Sequence, residues 1–277
     1  MSGAREIAWA LRGVGFYALA GLFAVMSLVP LAILLKVSIS GPEDILVQHP
    51  PFWVQHPTFE HWAAILKPDA LWPPLRKSLV VATGTAVLAV AIATPAAYVI
   101  ARLPRAWRYA IVLGLLFTRM FPEVIIATPI AVTFLRAGLI DTDVGLILAH
   151  LIRNLPLVAW LLVGTFEIIP RELEEASWVD GNGRLGTLWS VVLPLALPGI
   201  AVSAIFAWLD SWNDLLYAIY LLLADRTLPL LTYYYANRGN VFDVATFSVI
   251  LTVPVLLLTL ALQRYIKAGT LSGAVKG

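Results

Sequence analysis

Polar and apolar positions segregate along this chain in long blocks rather than alternating residue by residue. Apolar runs cover residues 14–39, 76–101, 109–136, 143–167, 194–223 and 243–266. Each provides the ~20 residues that a helix rising 1.5 Å per residue needs to cross a bilayer. The pattern predicts an all-α membrane protein, a six-transmembrane-helix bundle forming a single domain over 1–277. Pro95, Pro122, Pro129, Pro156, Pro198 and Pro254 fall inside these runs. Neighbouring helices in a bundle can satisfy the carbonyls that prolines free, so kinked helices are expected.

Composition agrees with a lipid setting: 60% of residues are hydrophobic and 13% charged, which does not describe a soluble surface. The formal charge of +2 and singly scattered basic residues indicate no nucleic acid partner. The chain has no cysteine, so no disulfide framework, thiolate nucleophile or Cys-type metal site is available. His49, His56 and His61 lie in one loop and His150 in an apolar run, without metal-binding spacing, and no metal site is expected. The first apolar run exceeds the roughly 7–15 residues of a secretory signal core and reads as an uncleaved helix. With the N-terminus in the cytoplasm, ten basic residues fall inside against seven outside, three of them in the turn holding Arg102, Arg105 and Arg108. The positive-inside bias therefore predicts both termini to be cytoplasmic.

One polar, acid-bearing insert interrupts the apolar blocks, about 168–193. Glu172, Glu174 and Glu175 follow Pro170, where carboxylates favour the first turn of a helix. Gly181 and Gly183 permit a break before a second short helix. Such a knob suits docking, while composition alone equally allows an amphipathic linker helix on the bilayer surface. The spacing is more specific. Glu175, Ala176 and Ser177, then three residues, Gly181, nine residues, Val191, one residue, Leu193 and Pro194 resemble the EAA loop of ABC-importer permeases. Ser177 replaces the second Ala of that pattern, Val191 its Ile, and Asn182 stands where the family commonly has Ala. The resemblance implies the type I ABC importer permease fold. It also implies that Glu175, Ala176, Ser177, Asp180 and Gly181, with Leu193 and Pro194 closing the pattern, form the coupling helices that seat in a groove of a cytoplasmic ATPase.

Arg119, Glu123, Arg153, Asp210 and Asp214 fall inside the apolar runs. A charge at mid-bilayer costs about 2.5–3.5 kcal/mol even on the lenient scale, so these groups should face one another or a wet cavity. Arg119 and Glu123, four apart, are expected on one helix face. The group reads either as salt bridges locking helices or as the lining of a hydrophilic solute path, to which Trp208 and Trp212 add ring faces and Asn213 an amide that donates and accepts. Trp212, Asn213, Asp214, Leu215 and Leu216 are similar to the fifth-helix signature of maltose-type sugar permeases. The ending RYIKAGTLSGAVKG, whose last part is the tail 267–277, resembles the ending of that subgroup, which in the family lies against the ATPase dimer. Arg119 and Arg153 match no family motif and are read as marks of an individual substrate preference or of an anionic substituent on the substrate.

Two outer segments remain. The first, 40–75, holds HPPFWVQHPTFEHW. Its prolines argue against regular structure, apart from a short amphipathic helix after Thr58 using Phe59, Trp62, Ile65 and Leu66; interfacial aromatic anchoring is preferred there over ligand contact. The second, 224–241, carries Tyr233, Tyr234, Tyr235, Asn237 and Arg238. The corresponding loop of the resembling family reaches into an extracytoplasmic solute-binding protein. Taken together, the resemblance implies one of two membrane-spanning subunits of a sugar importer in a bacterial or archaeal cytoplasmic membrane. A homologous permease, two ATPase subunits and an extracytoplasmic sugar-binding protein would be its partners. The chain lacks the GxxxxGK[ST] phosphate loop, so ATP and Mg2+ belong to the partner ATPase, and this chain is expected to bind no cofactor and catalyse no reaction. An ABC permease for amino acids or peptides and an ion-coupled secondary transporter are the alternatives. An intramembrane enzyme ranks last, because Asp210 and Asp214 lie four apart on one helix rather than on facing elements.

Overall fold

The computed structural model describes the backbone of residues 2–273 and the side chains of residues 15–261. Its elements are helices: α1 (Ser2–Ser38), α2 (Pro42–Ile45), α3 (Glu60–Ile65), α4 (Pro68–Arg102), α5 (Arg105–Thr118), α6 (Glu123–Arg136), α7 (Asp143–Ile168), α8 (Arg171–Val179), α9 (Arg184–Thr187), a π-helical turn (Leu188–Val192), α10 (Leu193–Trp212), α11 (Leu216–Leu221), α12 (Leu228–Ala236) and α13 (Val241–Gly273). Among the described residues five helical stretches are long and apolar enough to cross a membrane, and α5 with α6 makes a sixth if the bent pair is one span. The side chains of the RYIKAGTLSGAVKG ending lie outside the described residues.

The continuous helix expected over 109–136 is instead this pair, bent by 80°. Pro122 causes the break: it takes ψ 126 at the start of α6 and has no N–H to continue the α5 ladder. The run expected over 194–223 is also interrupted. α10 ends at Trp212 because the Asn213 amide turns back to donate to the Leu209 carbonyl at 2.8 Å, a local side-chain bond that competes with the helix. Only the short α11 follows. Half of the segment expected as a tyrosine-rich loop, 224–241, is the helix α12.

The chain divides into two compact units. One comprises Leu71–Leu231 with Val253–Gly277. Its core is built on an alanine stripe of α4, in which Ala82, Ala86, Ala89, Ala93, Ala97 and Ala101 are all buried. The i, i+3/i+4 spacing puts these residues on one face, and their small size lets neighbouring backbones approach, as helix packing in membranes favours. Leu151, Val158, Leu162 and Phe166 of α7 join them in the same core. α10 crosses α7 closely enough that a Cβ at Gly199 would overlap Thr165.

The other unit comprises Met1–Ala70 with Thr232–Thr252. After α1 the chain doubles back. Gly41 N donates to His56 O at 3.1 Å and Thr58 N to Ile39 O at 2.9 Å, closing a loop over residues 40–58. Asp44, buried within it, accepts from Gln55 N and His56 N at 2.8 and 2.9 Å. α3 is the short helix expected after Thr58. Ile65 is buried, but Phe59 and Leu66 are exposed, so its apolar face is narrower than the sequence pattern proposes.

Candidate functional site

The polar insert folds as a helix, a glycine turn and a second helical turn. Pro170 precedes α8 with Glu172 and Glu174 in its first turn. At the other end Gly181 N donates to Trp178 O and Asn182 N to Ser177 O, both at 3.0 Å. These are the paired bonds of a Schellman cap, which needs a left-handed residue after the helix. Gly181 supplies it with φ +93. Glu175, Ala176 and Asp180 are exposed, while Ser177 is buried and bonded to Thr187 Oγ1 at 3.0 Å. Leu193 and Pro194 open α10 immediately beyond the π-helical turn.

Arginines of the α4–α5 corner fix this knob to the bundle. Arg102 forms an ion pair with the buried Glu174, its Nε donating across 2.7 Å. The same guanidinium donates from Nη1 to the Phe166 carbonyl at 2.9 Å, a second donor to an acceptor at the end of α7 that Ile169 N reaches at 3.2 Å. Tyr98 donates its hydroxyl proton to Glu174 at 2.7 Å, Arg171 donates to the Arg102 carbonyl at 2.7 Å, and Arg108 pairs with Glu167 at 2.6 Å. Charge-assisted bonds of this kind hold direction as well as position. These contacts tie α8 to α4 and α7.

Glu123, Arg153, Asp210 and Asp214 come together. Arg153 Nη1 lies 2.8 Å from Glu123 and 3.6 Å from Asp214, and Nη2 lies 2.9 Å from Asp210. One fork thus joins α6, α7 and the end of α10. Asp214 also lies 3.1 Å from His150 Nε2, whose Nδ1 is 2.6 Å from Ser211 Oγ. The ring thus lies between the Asp214 carboxylate and the Ser211 hydroxyl. A cleft of about 470 Å³ opens beside the cluster, lined by Arg153, Asp210, Asn213 and Asp214 among apolar residues.

Arg119 does not join this group. It caps the end of α5 on the other side of the Pro122 break from Glu123, so the shared helix face expected of these two residues does not exist. Among the described residues Arg119 has no ion-pair partner. An arginine pair awaiting an anion is therefore not what the structure contains, since Arg153 faces three carboxylates. Trp212 stacks on Trp208 with centroids 4.8 Å apart and is only 1% exposed, so it presents no open ring face to the cleft. Asn213 spends one amide proton on its own helix end.

Residues 78–271 match the family described as binding-protein-dependent transport system inner membrane component. The chain belongs to that family. It is an ABC transporter permease, a non-catalytic, multi-pass inner membrane subunit of a binding-protein-dependent complex. An inner membrane ABC transporter permease protein of Escherichia coli is 30% identical over 274 residues, 96% of this chain and 98% of that one. A trehalose transport system permease protein of Mycobacterium tuberculosis is 33% identical over 226 residues, 79% of this chain and 82% of its own length. A crystal structure of a bacterial ABC transporter involved in import of the acidic polysaccharide alginate has a chain of the same fold. Its TM-score is 0.75 at 22% identity, covering 96% of this permease and 98% of that chain.

The remaining candidates of the permease lie at the end of α12. Tyr235 stacks on Phe247 at 5.5 Å and Arg238 sits 4.0 Å above the Tyr234 ring, so both rings serve internal contacts; Tyr233 and Asn237 point outward. Sequence reasoning missed the groups that hold the frame. His150, Ser211 and Thr85 form a buried polar thread through α4, α7 and α10. Lys77 bridges Asp143 and Asp225 at 2.8 and 2.9 Å. Buried charge is again the only cue: Lys77 lies near the start of an apolar run, and such a lysine needs an acid close by.

Proposed function

We propose that this permease is one of two membrane-spanning subunits of an importer for a sugar, an oligosaccharide or disaccharide handed over by an extracytoplasmic binding protein. A homologous permease and two ATPase subunits complete the assembly, and ATP with Mg2+ is bound and hydrolysed in the latter. The polar insert and both termini lie on the cytoplasmic side, and solute crosses by alternating access. Support for sugar comes from relatives named for it. Besides the trehalose relative, a trehalose/maltose permease of Thermococcus litoralis is 28% identical and an alpha-glucoside permease of Rhizobium meliloti 35% identical.

The observation that carries the coupling role is the exposed face of Glu175, Ala176, Asp180 and Gly181 on a helix locked by Glu174 to Arg102. A surface that receives force has to be free outside and stiff inside. Gly181 separates the two requirements, because nothing of this chain lies within 4 Å of where its Cβ would stand. Gly181→Ala adds only the left-handed backbone cost of about 1–2 kcal/mol. Gly181→Trp adds the same cost and also fills the outer face. In proteoliposomes holding the whole transporter, the Ala variant should keep uptake coupled to hydrolysis. The Trp variant should assemble yet hydrolyse ATP without uptake, and undiminished sugar uptake by it would overturn the docking role. Substrate class is read separately, by competition of unlabelled disaccharides, amino acids and peptides; inhibition by the latter alone would move the permease to another polar solute.

A further inference from the structure

The geometry points to a lipid-facing role for the loop between α1 and α3: Phe52 and Trp53 form an anchor that inserts into the headgroup boundary where α1 leaves the membrane. The apolar part of α1, Gly15–Ser38, has 24 residues, about 36 Å of helix against a hydrocarbon core of ~30 Å. Its side chains from Phe16 to Leu35 are largely bare, and Lys36 in the last turn marks the level at which a charged head meets the headgroups. Lys36 Nζ donates to the carbonyl of Pro51. The loop is therefore drawn back to the end of the span, and the two residues following Pro51 sit at that level.

Those two residues are the apolar tip of a fixed loop. Phe52 is 81% and Trp53 77% exposed, packed edge to face with centroids 5.0 Å apart. Before them Pro51 is held by Lys36. After them Gln55 and His56 are held by Asp44, while the Ser40–Pro57 bridge closes the base. Rings presented on a fixed frame and left this exposed by the described residues need a cover. From Ile45 to Phe59 there is no Asp, Glu, Lys or Arg. At the level where α1 leaves the hydrocarbon, aromatic rings with polar neighbours are what the bilayer interface collects.

The absence of cysteine from the chain allows the test to be made on the complete transporter in phosphatidylcholine/phosphatidylglycerol vesicles, with partner cysteines replaced. A nitroxide is attached to Phe52→Cys, and separately to Val54→Cys, which leaves both rings in place. Depth is read from collision with oxygen, which partitions into lipid, against a water-soluble nickel chelate. Both labels should favour oxygen over nickel by severalfold relative to a freely aqueous label, unchanged when binding protein is added. Labels as open to nickel as an aqueous one would overturn the anchor. So would labels shielded from both reagents, whether by the sister permease alone or only after binding protein docks, because the cover would then be protein.

Discussion

Asn182 Nδ2 donates to Ser177 Oγ across 3.1 Å, beneath the glycine turn of the polar insert. These are the two positions at which the loop carries a polar side chain where the EAA pattern commonly has alanine. They act as a single exchange, because the buried Ser177 hydroxyl is shared by the Asn182 amide and Thr187. Ser177→Ala leaves both neighbours short of a partner, and Asn182→Ala removes one. The double variant should therefore cost less than the sum of the singles by about 0.5–1.5 kcal/mol. Thermal unfolding of the purified transporter across the four-member cycle measures this, and strict additivity would show that the two departures are independent.

Arg153 offers one positive charge, through one fork, to the carboxylates of Glu123, Asp210 and Asp214. Removing the guanidinium leaves the buried Asp214 carboxylate uncompensated, at a cost below the ~3–5 kcal/mol of a fully buried pair because Arg153, Glu123 and Asp210 are partly exposed. Arg153→Met should accordingly reduce the amount of folded complex recovered in detergent, with Arg153→Lys intermediate because an ammonium lacks the planar fork. Adding Glu123→Gln and Asp210→Asn to Arg153→Met should restore recovery only in part, because the buried Asp214 still lacks its guanidinium partner. Size-exclusion yield reports all of these, and wild-type recovery of Arg153→Met alone would contradict the structural load placed on it.

What was legible in the sequence follows from which signals are local. Spanning helices are visible because lipid demands a long apolar run, and the insert because its glycines and carboxylates break that run. The meeting of Glu123, Arg153, Asp210 and Asp214 is visible through cost, since charges in lipid must find each other. Arg119 failed for the opposite reason: its placement depends on the direction of the chain after Pro122, and a proline announces a break without its angle. His150 carries no sequence cue that separates an idle core histidine from one set between Asp214 and Ser211. The bridge of Lys77 to Asp143 and Asp225 joins segments 66 and 148 residues apart, a distance over which no spacing rule operates.

Asp141 should tolerate Asn better than Ala. Its φ of 63 lies in the left-handed region, which Asn adopts readily and Ala resists by about 1–2 kcal/mol. Its carboxylate collects Leu223 N, Ala224 N and Asp225 N at 3.0, 3.2 and 3.3 Å. Burial pushes this carboxyl up, but the three backbone donors and nearby Lys77 outweigh it and hold the group below its ordinary value of 3.8. A depressed folded value contributes stability above that ordinary value and loses it as pH falls through the folded one. Melting temperatures of wild type and Asp141→Asn should therefore differ by a constant amount from pH 5 to 8 and converge only in stronger acid; convergence near neutrality would contradict this.

The loop behind Phe52 and Trp53 should loosen in base. His56 Nδ1 lies 2.8 Å from the buried Asp44 carboxylate, and that hydrogen bond raises the imidazole above 6.5 against a smaller opposing effect of burial. The backbone N–H of His56, helped by its ring and by Gln55 N, holds Asp44 below 3.8 although burial acts the other way. A raised histidine contributes its full stabilisation below the ordinary value and loses it as pH rises through the folded one, whereas Asp44 loses its share only when acid reaches it. The ion pair is thus complete between about pH 4 and 6.5 and weakens above that window. Amide hydrogen exchange of residues 41–58, corrected for intrinsic pH dependence, should show lower protection at pH 8.5 than at pH 6. His56→Gln should abolish the difference, and an unchanged pH response in that variant would assign the effect to another group.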